Sequence, residues 1–256
     1  MTKSACVRVR AVRIALLGAT ALALLTAPVV VSEATAKVGV TSATDGDPLG
    51  KPPQEAERVL RIGVDVQANE LITTSANDRA HLLFLDGSSL TVGPNAQLTI
   101  DKFVFDPNTK TGELAINASK GVLRLVGGKI SKNGPIVITT PANTVGIRGG
   151  ITILDVKANQ TDSTFVFGKD MTVRAAGQTQ VATRPGSMIV TNFGSPPGLP
   201  TILAQGALNA QLAALEGGRR GSQGSGGSGS GGRNPDQVAQ SSGLSSVNSS
   251  QSVRIQ

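Results

Sequence analysis

The chain has no tryptophan, no tyrosine and only six phenylalanines among its 256 residues. A core must therefore be built from Val, Ile and Leu, whose side chains suit a pleated, half-buried surface. Few aromatic faces remain on which nucleic-acid bases could stack. Cysteine is nearly missing as well, because the one thiol is Cys6. Everything after it lacks disulfides, Cys-zinc sites and cysteine nucleophiles. Histidine is just as scarce. The single one, His81, has no cysteine with which to assemble a zinc site. As a general base it would need a nucleophile, and Ser88 or Ser89 on a return strand is the nearest option. We read it as a structural histidine in a strand.

Acid is also in short supply, which leaves a formal charge of +7. That excess invites a nucleic-acid reading, but its placement argues otherwise. Lys3, Arg8, Arg10 and Arg13 face only Glu33 in the first 36 residues, so the excess beyond them is +4. The remaining bases are scattered without a Lys/Arg run. A solvated basic surface is expected, with no nucleic-acid partner.

What the first 36 residues do contain is the three-part pattern of a secretory signal peptide. A basic segment runs from Met1 to Arg13 and an apolar one from Ile14 to Val31. Ala34-Thr35-Ala36 then offers small residues for cleavage between Ala36 and Lys37. Retention as a membrane anchor is the alternative, since the apolar run is close to the shortest that spans a bilayer. Pro28 interrupts it, which favours cleavage. Cys6 precedes the apolar run, so a lipoprotein is not expected. The chain is expected to be exported, to the periplasm or the cell surface, and to touch a membrane only if the leader stays.

After the leader, glycine is abundant, with 31 in the chain, and it punctuates short alternating runs. Residues 37–57 read as a short strand followed by a Pro/Gly loop, with Asp45 and Asp47 as turn residues and not calcium ligands. Residues 58–192 read as a β-domain. Ala80–Leu85 and Ser89–Val92 flank Asp86-Gly87, a strong hairpin signal, and Gly93-Pro94-Asn95 turns the chain again. Turn signals recur every 8–12 residues or so, which predicts a sandwich, barrel or β-solenoid. No helical period precedes residue 199. Residues 193–216 read as a linker and a short helix carried by Leu203, Leu208, Leu212 and Leu215. Residues 217–256 read as a Gly/Ser/Gln-rich disordered tail.

No constellation of reactive groups emerges. Gly127-Gly128-Lys129 lacks the phosphate-loop pattern, with Leu123 where a glycine is required and Ile130 where Ser or Thr is required. It reads as a turn between strands. Asp86, Asp101, Asp106 and Asp155 fall at turns or strand ends, where acids cap and solubilise. We expect no catalytic residue, no cofactor and no metal.

The order of several segments resembles the FecR domain, a β-rich domain of exported and envelope proteins of bacteria. They are Asn69–Thr74, Ala80–Leu85, Asp86-Gly87-Ser88 through Gly93-Pro94-Asn95, Lys120-Gly121-Val122, Val137–Pro141 leading to Val145–Gly149, Met171-Thr172-Val173 and Arg184-Pro185-Gly186. Asp86, Gly87, Gly93, Pro94, Arg148 and Gly149 are the motif turns. Gly150 departs from the Thr common after Arg-Gly in the family. The resemblance implies a mostly antiparallel β-fold, solenoid-like or sandwich-like, and an envelope protein as partner. The family's namesake regulates iron uptake by relaying a receptor signal to a sigma factor. So few residues precede the apolar run here that a cytoplasmic anti-sigma part is not expected. The function expected is an exported, non-catalytic module for protein binding, sensing or signalling. The alternative is a structural or surface-matrix component that assembles through its β-domain and tail.

Overall fold

The computed structural model describes residues 37–204 and 206–216. The expected leader and tail lie outside them, as does Ala36, whereas Lys37 opens the first strand. In chain order the strands are β1 (Lys37–Asp45), β2 (Leu49–Lys51), β3 (Arg58–Val59), β4 (Asp65–Gln67), β5 (Leu71–Thr73), β6 (Arg79–Phe84), β7 (Ser89–Val92) and β8 (Gln97–Asp106). The long β9 (Thr111–Val126) and the helix α1 (Lys129–Asn133) follow. The second half holds β10 (Ile136–Thr139), β11 (Thr144–Arg148), β12 (Ile151–Val156), β13 (Gln160–Phe167), β14 (Asp170–Ala175), β15 (Gln178–Ala182), β16 (Ser187–Asn192), β17 (Thr201–Ile202) and the helix α2 (Ala207–Glu216).

These strands form two sheets, neither closed on itself. The first runs β4-β1-β6-β7-β9-β12-β13-β16-β17. The second runs β3-β2-β5-β8-β9-β10-β11-β14-β15. Every pairing is antiparallel except β9 with β10. β9 belongs to both sheets, pairing with β8 and β10 over its first ten residues and with β7 and β12 from Gly121 onward. Gly121 is the hinge between the two halves. Its φ is +98°, a region open to glycine and strained for other residues, and a Cβ there would overlap Ala96.

The alternation expected from sequence is what buries the core. Leu82, Leu90, Leu123, Leu125 and Leu154 of the first sheet and Ile72, Leu98, Ile116, Ile138, Val145 and Val173 of the second join one apolar cluster. Each such side chain contributes about 1.5–3 kcal/mol relative to exposure. Two polar features are buried with them. Glu70 is fully buried and accepts from Gln67 N at 2.8 Å, with Arg58 at 3.2 Å. Burial pushes its carboxyl above the usual range, against the opposing pull of the Gln67 amide and Arg58. The β10–β11 turn is tied to the first sheet by Thr140 Oγ1 on Thr161 Oγ1 at 3.0 Å and by Asn143 Nδ2 donating to Thr191 Oγ1 at 2.9 Å.

Among the described residues the fold is all-β, as the turn spacing predicts, and mostly antiparallel, as the resemblance to the FecR domain implies. It differs from expectation locally. The Pro/Gly loop over 45–57 contains β2, Thr201–Ile202 extend the edge of the first sheet, and the Gly-Gly-Lys turn opens α1. A helix of five residues is too short to show a period.

Candidate functional site

The Asp86-Gly87 turn does more than close a hairpin. Gly87 adopts φ +83° and its N–H donates to Phe84 O at 2.9 Å, which leaves the Asp86 carboxyl pointing inward and fully buried. It accepts from Ser88 N at 2.9 Å, from Ser88 Oγ at 2.7 Å and from Ile130 N at 3.2 Å. The Asp86 carbonyl accepts from Lys129 N at 3.0 Å, and Ser88 Oγ accepts from Gly128 N at 2.8 Å. The turn thereby satisfies amides at the start of α1 that have no partner inside the helix. Gly128 has to be small, since a Cβ there would run into Ser88 N.

The second motif turn grips the same helix from another side. Gly149 N donates to Ser131 O at 2.9 Å and Gly127 N to Gly150 O at 2.8 Å. The β8–β9 hairpin supplies a third contact, with Asn133 Nδ2 donating to Lys110 O at 2.8 Å and Lys129 Nζ 5.8 Å from the Phe105 ring. Asp86, Gly87, Arg148 and Gly149 are therefore brought together around α1. Gly93 and Pro94 are not. They make a separate corner where Gly93 N donates to Val122 O at 2.8 Å and Gly93 O accepts from Thr74 Oγ1 at 2.7 Å.

On the outer face of the first sheet, strand register aligns side chains in rows. One row passes from His81 through Thr91, Arg124 and Ile153 to Thr164. α2 crosses this row: Gln211 Nε2 donates to Thr164 Oγ1 at 3.1 Å, and Leu215 shares a small recess with His81 and Thr91. Ile153 and Thr164 are fully buried, although they face away from the core. His81 Nδ1 contacts Ser42 Oγ, which also donates to His81 O at 3.0 Å. Partial burial, and then the nearby Arg124, hold the imidazole pKa below its ordinary 6.5. The pairing with Ser88 or Ser89 does not form, because Ser88 Oγ is committed to Asp86 and Gly128 and Ser89 lies opposite Leu83. A Ser42–His81 pair beside an arginine is poorly arranged for nucleophile activation, where a third group usually orients the base.

The neighbouring row is apolar except for Ser89. Val40, Leu83, Ser89, Val126, Ile151 and Phe167 succeed one another across β1, β6, β7, β9, β12 and β13. Leu83 is 42% exposed and Phe167 62%, with Leu85 beside them at 53%. Sequence alternation marks each as outward or inward, but only long-range register shows that they line up. Among the described residues no three His, Asp or Glu side chains are grouped to hold a metal ion, and no helix is long and apolar enough to cross a membrane.

A search of curated proteins returns no match. Two crystal structures of a candidate anti-sigma factor from Parabacteroides distasonis are similar to this chain at 11% and 13% identity, with TM-scores of 0.44 and 0.43. Each match covers 56% of this chain and 64% or 63% of the other, less than two thirds of its length. The family model described as FecR protein matches residues 70–169, the segment that runs from the buried Glu70 through both turns around α1. Over residues 70–169 the β-body of this chain is thus similar to the FecR domain.

Proposed function

We propose that this chain is an exported, non-catalytic sensing or signalling module that acts by binding a protein of the bacterial envelope. The observation that carries the reading is the row Val40–Leu83–Ser89–Val126–Ile151–Phe167, apolar but for Ser89. Exposed apolar groups that are contiguous, and not scattered, mark interaction surfaces, and aromatic anchors such as Phe167 concentrate binding energy. The row lies on a rigid sheet, which limits the entropy lost on association. Export rests on the leader pattern at residues 1–36, and the FecR domain is the kind of module through which a partner's state would be relayed.

A photocrosslinking side chain placed at Phe167 in cells is expected to capture one defined protein. Leu83→Asp with Phe167→Asp, which leaves the core untouched, should abolish that adduct while preserving the far-UV spectrum. Adducts only with a second copy would favour self-assembly over this reading, and no adduct at all would refute it. N-terminal sequencing should find Lys37 as the first residue of the exported form.

A further inference from the structure

The recess between α1 and the Arg148-Gly149 turn is lined by positive charge and no acid. Lys132 reaches it from α1, Arg148 from the end of β11 and Lys169 from the β13–β14 turn, with Ser131, Asn133 and Gly149 completing a volume of about 320 Å³. Among the described residues none of the three cations takes part in an ion pair. Two side-chain-free turns bring them together. Gly168, at φ +140°, lies against Gly149 and Gly150, where a Cβ would overlap the Gly150 backbone. Lys169 N then donates to Arg148 O at 3.1 Å. α1 is fixed by the buried Asp86 and by the Gly149–Ser131 bond, so Lys132 is anchored beside them. Like charges held at such quarters oppose one another. All three side chains are exposed, and the core does not need them.

Arg148 also lines a second hollow, of about 430 Å³, on the outer face of the second sheet. Its floor follows the register Val137–Gly146–Thr172–Val181, with Pro135 at one side and Arg174 beyond. Gly146 opens the middle of that floor by lacking a side chain. The floor is uncharged, and Asp170, at the rim next to Arg148, would repel a second anion.

We propose that Lys132, Arg148 and Lys169 hold the phosphate of a phosphomonoester whose uncharged, partly apolar substituent lies over Gly146 in the adjoining hollow. Three cations suit a group that carries between one and two negative charges at neutral pH better than a single carboxylate. The arginine fork matches the geometry of its oxygens. The same chemistry is offered by a free small molecule and by a phosphomonoester lipid.

The test is an amide-resolved NMR titration of the full chain with inorganic phosphate, hexyl phosphate and phosphatidate vesicles. Hexyl phosphate should shift Lys132, Gly149 and Lys169 together with Gly146 and Thr172, and bind about tenfold tighter than inorganic phosphate, the gain from burying roughly two methylenes. Lys132→Gln with Lys169→Gln should weaken it at least about tenfold without touching the fold, and Arg148→Gln should do the same. Gly146→Leu should erase the advantage of the hexyl chain and leave inorganic phosphate unaffected. Co-sedimentation with phosphatidate vesicles, lost in the double lysine variant, assigns the phosphate to a lipid. Hexyl phosphate binding without sedimentation assigns it to a small molecule. No saturable shift at about 10 mM hexyl phosphate, or unchanged affinity in the lysine variant, overturns the proposal.

Discussion

At the scale of single residues, two polar side chains carry consequences that can be measured. His81 prefers its neutral form in the fold, because burial and then Arg124 lower its pKa. Its unfolded counterpart binds protons at higher pH, so stability should fall as pH drops below about 6.5. Because the raised Glu70 carboxyl acts in the opposite direction as pH falls, the loss is read as a difference: between pH 7 and pH 5, denaturant unfolding should show His81→Gln losing less stability than the unsubstituted chain. Asp86 accepts three hydrogen bonds while fully buried. Asp86→Ala leaves Ser88 and Ile130 donors unmet and should cost about 2–4 kcal/mol, read by urea unfolding, with faster hydrogen exchange at Gly128 and Ile130. Sequence made the Asp86-Gly87 turn legible through its chemistry. It could not show the carboxyl's second task, since its partner Ile130 lies 44 positions away. His81 was legible as a strand residue, but Ser42, the side chain it contacts, lies 39 positions away, beyond the reach of any local pattern.

Among elements, the two helices show opposite kinds of legibility. α2 follows from leucines at helical spacing, and its inward residue Leu215 is buried against the outer face of the first sheet. α1 has no such signal, because tertiary contacts on three sides, and not propensity, hold its five residues helical. α2 is thin cover: one fully buried leucine and one hydrogen bond from Gln211 tie it to the sheet. It should open more readily than the strands beneath it. Cys6 is the only cysteine, so Thr164→Cys, made with Cys6→Ser, places one thiol under the helix. Adding Leu215→Ala should speed thiol labelling about tenfold while the global unfolding midpoint moves little.

For the whole molecule, the pattern of alternation was sufficient to foresee all-β architecture and insufficient to foresee its order. Nothing local states that β1 pairs with both β4 and β6, or that β9 is shared by two sheets. The glycine at the hinge is visible in Lys120-Gly121-Val122, but its need for a left-handed φ and for contact with Ala96 is not. Gly121→Ala adds a Cβ against Ala96 at φ +98° and should destabilise by more than about 2 kcal/mol. Because both sheets meet there, loss should appear as one cooperative transition in fluorescence-independent probes such as far-UV circular dichroism and hydrogen exchange, and not as melting of one sheet alone.

That shared strand also bears on the chain's birth. β7 and β8, the earlier partners of β9, leave the ribosome before it, whereas β10 and β12 follow it. Until Thr139 has emerged, one side of β9 presents an open ladder in the second sheet, and until Val156 has emerged it does so in the first, a template for pairing with a neighbouring nascent chain. At ordinary elongation rates that interval lasts on the order of seconds, long compared with hairpin closure, and it is the period in which a holdase would have most to shield.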